Sequence, residues 1–133
     1  MVTHFYLDSS VAVRILLGHS PEAAEWFDLT TASTDRIVSS RILRTEVTRV
    51  LRREDLPVAD RDRILDHIDI IPIDHAVLTE AESIVPNIKT LDAIHLASVV
   101  RSGLEDVVIV THDRAMAHVA EQLGYRIHDP VPS

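Results

Sequence analysis

The chain contains no cysteine, which excludes disulfide bridges, thiolate zinc sites and redox dithiols. Glycine is scarce: Gly18, Gly103 and Gly124 are the only three, too few and too dispersed for a glycine-rich phosphate loop. A Gly-x-Ser-x-Gly elbow is absent, which argues against a serine hydrolase of that design. The eight histidines are scattered, without the His-x-x-x-His pair that suggests zinc. No apolar run approaches the ~20 residues needed to span a bilayer. The opening Met1-Val2-Thr3-His4-Phe5-Tyr6-Leu7-Asp8 lacks the basic region of a signal peptide. The expected location is therefore the cytoplasm, away from membranes.

What is present suits one ordinary globular unit. With 133 residues, 46% hydrophobic and 26% charged, the expectation is a single domain over 1–133 with a real core. The net charge of −8 argues against a generic nucleic-acid binder. Charge is unevenly spread, however. Arg41, Arg44, Arg49, Arg52 and Arg53 share residues 41–53 with one acid, Glu46, a local balance of +4 that leaves −12 for the rest. That stretch reads either as a solvated helix face or as a surface for a polyanion.

Strand and helix signals alternate along the chain. Strands are expected over 3–7, 36–40, 70–73 (an edge strand, given Pro72), 107–110 and 125–127. Helices are expected over 11–17, from Pro21 to about Leu29, and over 41–53, 60–68, 76–85, 91–101 and 114–123. The 107–110 run Val-Val-Ile-Val is continuous and apolar, as in a strand buried on both faces. The 91–101 segment is apolar on nearly every side of a helical wheel, as in a helix buried all round. Residues 129–133 read as a loose tail. The alternation predicts an α/β fold, a three-layer sandwich with a mainly parallel central sheet and helices on both faces.

Four acids occupy telling places. Asp8 and Asp113 each follow a strand, where ligands of open α/β sheets bind, and each directly precedes a helix that it could cap instead. Glu46 lies mid-helix beside Ile42, Leu43 and Val50, so either an intrahelical pair with Arg49 or Arg53, or a partly buried role, is open to it. Asp92 lies in the first turn of the 91–101 helix, with Thr90 as the expected cap and the helix dipole as a partner. Hard cations such as Mg²⁺ and Mn²⁺ prefer oxygen ligands, and clustered carboxylates repel unless a cation lies among them. Asp8, Glu46, Asp92 and Asp113 are therefore the candidate metal ligands and catalytic acids, for water activation against a phosphodiester. Ser10 and Thr111 are placed to hydrogen-bond a carboxylate or a metal-bound water. His95 reads as a core or rim histidine, and His112 stays unassigned. Arg44, Arg52 and Arg53 are candidate phosphate contacts.

Tyr6-Leu7-Asp8-Ser9-Ser10, Leu43-Arg44-Thr45-Glu46-Val47, Leu91-Asp92-Ala93-Ile94-His95-Leu96-Ala97 and Val110-Thr111-His112-Asp113 resemble, in order and spacing, the four acidic motifs of PIN domains. The closest likeness is to the VapC toxins of bacterial type II toxin–antitoxin systems. The resemblance implies a Mg²⁺- or Mn²⁺-dependent endoribonuclease in which Asp8, Glu46, Asp92 and Asp113 match the metal-binding acids. It also implies an RNA substrate, homodimerisation, and inhibition by a VapB-like antitoxin that presents a basic residue to the acidic pocket. Family members often carry a further acid after the fourth motif; this chain has Ala115, Met116 and Ala117 there, which weakens the case for a second ion.

Two other classes fit parts of the pattern. A receiver-like signalling module also places acids at strand ends, but needs a lysine late in the chain, and the only lysine, Lys89, precedes the 91–101 helix. A PIN-like regulatory or binding module without nuclease activity need not keep four acids.

Overall fold

The structure, a computed structural model, describes residues 2–132. Strands β1 (His4–Leu7), β2 (Arg36–Ser40), β3 (Asp69–Ile71), β4 (Val107–Val110) and β5 (Arg126–His128) form a parallel sheet in the order β3-β2-β1-β4-β5. Strand order reverses at β1: the chain builds outward through β2 and β3, then returns to add β4 on the other side. β3 lies at an edge, where Pro72 directly after it withholds no ladder donor.

Side chains alternate across the sheet as the period of two requires. Leu7, Ile37 and Val110 face one core, shared with α1 (Ser9–Leu16), α2 (Pro21–Thr31), α3 (Arg41–Arg53) and Ile64 of α4 (Asp62–Leu65). Tyr6, Val38, Val107 and Ile109 face the other, closed by α6 (Thr90–Ser102) and α7 (Arg114–Gln122). α5 (His75–Glu82) packs along α6. All four β4 residues are buried, as their unbroken apolar run predicts. This is the expected three-layer α/β sandwich. No helix among the described residues is long and apolar enough to cross a membrane.

Local signals explain most boundaries. Ser20 Oγ accepts from Ala23 N (3.1 Å) and Pro21 starts α2. Ser40 Oγ accepts from Ile42 N (3.1 Å) at the head of α3, whose Leu43, Val47 and Leu51 are buried. Gly103, at φ +70°, ends α6 in the left-handed conformation that glycine adopts without strain.

Five expectations need correction. α6 is not buried all round: His95 to Val99 are covered, but Leu91 and Val100 are 45% and 39% exposed, because α5 and the sheet leave its ends open. Its cap position holds Lys89, which has no acceptor to offer, and Thr90 is already helical. The 60–68 helix is a 3₁₀ turn, Val58–Arg61, followed by the single turn of α4. α5 begins one residue early because Asp74 caps it through Val77 N (2.9 Å), and it stops at Glu82. The tail is tethered in part: Asp129 bonds His112, and Val131 packs against the first core, while Ser133 lies outside the described residues.

Candidate functional site

Asp8 and Asp113 follow β1 and β4, the adjacent strands between which the order reverses, so both stand at the crevice of the switch point. The register brings the two strand ends together, with Asp8 N donating to Val110 O (2.9 Å). α3 returns along one face of the sheet carrying Glu46, and the first turn of α6 supplies Asp92 from the other.

Asp8 is 2% exposed and occupies the cap position of α1 without making the capping bond. Instead its Oδ2 accepts from Ser10 Oγ (2.8 Å) and from Thr111 Oγ1 (2.8 Å). Those hydroxyls in turn accept from His112 N (2.9 Å) and Asp113 N (3.1 Å). This small network occupies Oδ2 and leaves the other carboxylate oxygen over. Asp8 Oδ1 is buried and has no hydrogen-bond partner. Leaving such an oxygen unmet costs about 1–3 kcal/mol, and more when it is charged.

The nearest cationic atom to that oxygen is His95 Nε2, at 3.8 Å. His95 is fully buried on α6, with Nδ1 2.7 Å from the Tyr6 hydroxyl and Nε2 2.6 Å from Glu46 Oε1. Burial, and then the charge of Asp8, push the Tyr6 pKa upward, so the phenol keeps its proton and can donate to Nδ1. Nε2–H is then the donor to Glu46. Burial alone would lower the His95 pKa; the Glu46 hydrogen bond and the charges of Asp8, Glu46 and Asp92 outweigh it and raise it. Glu46 Oε2 accepts from Ser9 Oγ (3.1 Å), so this acid is held from two sides. The intrahelical pair is not formed: among the described residues no arginine lies within 4.0 Å of a Glu46 carboxylate oxygen.

Asp92 is half-buried, and its pKa is raised to about 6, first by burial and then by the charges of Asp8, Asp113 and Glu46, with His95 opposing. The four acids thus share one electrostatic environment. Asp113 caps α7 through Oδ1, which accepts from Met116 N (3.1 Å), and so keeps the capping role that Asp8 gives up. Asp92 and Asp113 line a cavity of about 370 Å³ with Lys89 and Asn87. Among the described residues, no three histidine or acidic side chains converge closely enough to enclose an ion as they stand. The donor set is nonetheless that of a hard-cation site, and the buried partnerless Asp8 Oδ1 fits an oxygen awaiting a positive charge.

The structure therefore gathers Asp8, Glu46, Asp92 and Asp113 at one end of the sheet, with Ser10 and Thr111 on Asp8 as expected. Sequence reasoning missed Tyr6, Ser9 and the second half of the His95 story. The spacing of His95 three residues after Asp92 is the available signal, and on its own it supports only a core or rim histidine. His112 bonds Asp129 (Nδ1 to Oδ2, 2.8 Å) and touches the site only through its backbone. Arg53 pairs with Glu54, and Arg41, Arg44 and Arg49 line a separate cavity with Arg61.

The PIN-domain family model matches residues 5–122. Ribonuclease VapC46 of Mycobacterium tuberculosis is 36% identical over 128 residues, covering 94% of this chain and 96% of that one. Ribonuclease VapC47 of the same species is 30% identical over 131 residues, with the same coverage. Among solved structures, VapBC2 from Rickettsia felis, bound to a DNA fragment from its promoter, aligns with a TM-score of 0.72 at 12% identity, over 96% of this chain and 98% of that one. VapC20 of Mycobacterium tuberculosis, a sarcin–ricin loop cleaving toxin, aligns with a TM-score of 0.67 at 13% identity, over 91% and 95%. At these identities the structural likeness concerns the fold.

Proposed function

Because this chain belongs to the PIN-domain family, among the VapC ribonucleases, we propose that it is a divalent-metal-dependent endoribonuclease, the toxin of a VapBC-like type II toxin–antitoxin system. The observation that carries the reading is the buried Asp8 Oδ1 without a partner, in a cluster where burial and then mutual repulsion raise the Asp92 pKa. A binding module has no need of such an oxygen; a metal site does.

In this reading Asp8 and Asp92 are the core ligands of Mg²⁺ or Mn²⁺, Glu46 completes the shell or positions water, and Asp113 helps to hold a second ion or orients the first ligands. The chemistry such an ion supplies is a nucleophilic water at neutral pH and neutralisation of charge on the phosphodiester. The chain's own residues do the rest. Ser10 and Thr111 fix Asp8 by occupying Oδ2, which leaves Oδ1 as the coordinating atom. His95 orients Glu46, Tyr6 fixes the His95 tautomer, and Ser9 restrains the other Glu46 oxygen. An acidic pocket of this kind also suits a basic side chain of a VapB-like antitoxin, which would compete with metal and substrate. Homodimerisation and a cytoplasmic location complete the proposal, together with a single domain over 1–133.

The test is RNA cleavage by purified wild type, Asp8→Asn and Asp92→Asn, each with Mg²⁺ or Mn²⁺ and with excess EDTA. Wild type with metal cleaves, and both variants and the chelated enzyme do not, while all remain folded by circular dichroism. Undiminished cleavage in either folded variant, or in EDTA, refutes the metal site.

A further inference from the structure

The side of α3 turned away from Glu46 carries a second constellation. Arg41, Arg44, Thr45 and Thr48 recur at three- and four-residue spacings and so form one stripe. With Arg49 and with Arg61 of the 3₁₀ turn they line a cavity of about 180 Å³ whose lining has four arginines and no acid. In a chain with 21 acids this composition calls for an explanation. Arg36, Arg53 and Arg126 each hold a carboxylate elsewhere on the surface, whereas Arg41, Arg44, Arg49 and Arg61 have none within 4.0 Å among the described residues. Two of them are oriented by neutral partners. Arg41 Nη1 donates to Thr45 Oγ1 (3.1 Å), and Arg61 Nη1 donates to Thr48 Oγ1 (2.9 Å). The Thr48 hydroxyl passes its own proton to Arg44 O (2.6 Å). A guanidinium has five N–H donors, so one bond to a threonine aims Arg41 and Arg61 and leaves their other donors for an anion.

We propose that Arg41, Arg44, Arg49 and Arg61 form a docking site for a backbone phosphate of a single-stranded RNA, remote from the phosphodiester that is cut. The inference rests on the ribonuclease reading and extends it. α3 carries Glu46 toward the acids on one side and this cleft on the other, so the two sites stand on the order of a helix diameter apart, ~10–12 Å. A polyanion avoids the acidic pole except where its scissile group is drawn in, and a separate cationic anchor supplies the attraction that the net charge of −8 withholds. Arg61 comes from a different element, so the site exists only in the fold. Arg52 does not line it, and Arg53 is occupied by Glu54.

The test measures binding of a short fluorescent oligoribonucleotide to Asp8→Asn protein, which does not consume it, with and without Arg44→Ala and Arg61→Ala together. The double substitution weakens binding by about tenfold or more and lowers the salt slope by about 0.7, the counterion release of one single-strand phosphate contact. In the cleaving background it raises KM and leaves kcat unchanged. Arg44→Glu alone, at an exposed position, serves if the double variant fails to fold. Unchanged affinity and slope in folded protein overturn the proposal. So does poly-glutamate that binds at the same arginines more tightly than RNA, which would assign the cleft to an acidic polypeptide. Arginine-dependent RNA binding by a wild type that cleaves nothing would sink the nuclease reading and leave the cleft standing. Cleavage with unchanged KM in the variant would do the reverse.

Discussion

Both ends of the sheet are acidic, and only one is built like a site. At the N-terminal end, Asp35, Asp66 and Asp69 line the larger cavity, about 500 Å³. Asp69 there is more than half exposed and is gripped by Arg36 Nη2 (2.6 Å) and Nε (3.0 Å). Asp35 accepts from Thr3 N (3.0 Å), and nearby Asp106 is held by Arg126 and the Thr3 hydroxyl. At the C-terminal end the cavity is smaller, no arginine pairs with the acids, Asp8 is buried and Asp92 titrates near 6. Neither cavity size nor acid count separates the two ends. Desolvation with one shared imidazole against four acids does, because it leaves an excess of negative charge that an incoming cation can meet.

The sharpest break of this comparison is a matched pair of substitutions. Asp8→Asn is expected to lower RNA cleavage by at least ~10²-fold, since even outer-shell changes at metal sites reach that size. Asp69→Asn should leave kcat/KM within about twofold, because water and Arg36 are all that it meets. Equal losses at both positions would mean that the acids act only through overall charge.

A second comparison lies within the site. His95→Ala removes the Nε2–H donor to Glu46 and is expected to reduce cleavage and Mn²⁺ affinity by ~10–100-fold. His95→Gln, which can still offer an N–H in that direction, should recover part of both. Tyr6→Phe should cost less, since it frees the tautomer without removing the donor. Manganese titration separates a positioning role from simple loss of packing: a purely structural histidine would lower stability in all three variants and leave the affinity of the folded fraction unchanged.

That histidine marks how far the sequence alone reaches. β2, α3 and β4 stand at their expected bounds, because unbroken β-branched runs and serine caps act on neighbouring residues. The four acids were legible for a related reason: strand ends and the first turn of a helix are local positions. Contacts that cross the chain are different. His95 meets Glu46 across 49 positions and Tyr6 across 89, and Thr111 meets Asp8 across 103. Thr111 was anticipated because it sits beside a strand-end acid. His95 reads from sequence as a core or rim histidine, since a helical wheel shows a face and not a partner on another helix. The exposed ends of α6 were missed for the same reason, as a wheel describes faces and not the length over which neighbours cover them. Arg61 joins the α3 arginines only through a turn that sequence signals described as ordinary helix.

A smaller effect follows from the charge at Asp92. Its folded pKa of about 6 lies above its ordinary value of 3.8, so the folded state binds the proton more tightly than the unfolded chain. The associated stability is fully present below about 3.8 and is lost as pH rises through about 6. Asp92→Asn, which cannot ionise, should therefore be more stable than wild type at pH 7 without metal, on the order of 1 kcal/mol after screening at a half-buried site. The gap should close as pH falls toward 4. Saturating Mg²⁺ should reverse the order, since an ion that binds only the native wild type stabilises it. Urea denaturation across pH, with and without Mg²⁺, measures both. A variant less stable than wild type at pH 7 in EDTA would show that the ionised Asp92 is already satisfied by the protein.

The smallest expected effect belongs to the exposed pole. Arg36 and Asp69 have good geometry, with two nitrogens on one carboxylate oxygen, yet their side chains are 58% and 53% exposed. Water competes for both partners, and ordering two flexible side chains offsets much of the Coulomb attraction, so the coupling should fall within about 0.2–1 kcal/mol. A double-mutant cycle with Arg36→Ala and Asp69→Ala, read by urea denaturation, measures it. The coupling should shrink further in molar salt, where surface charges are screened over a few ångströms. A salt-resistant coupling well above 1 kcal/mol would mean that this pole is desolvated after all, and the contrast between the two ends of the sheet would have to rest on the missing arginines at the C-terminal end alone.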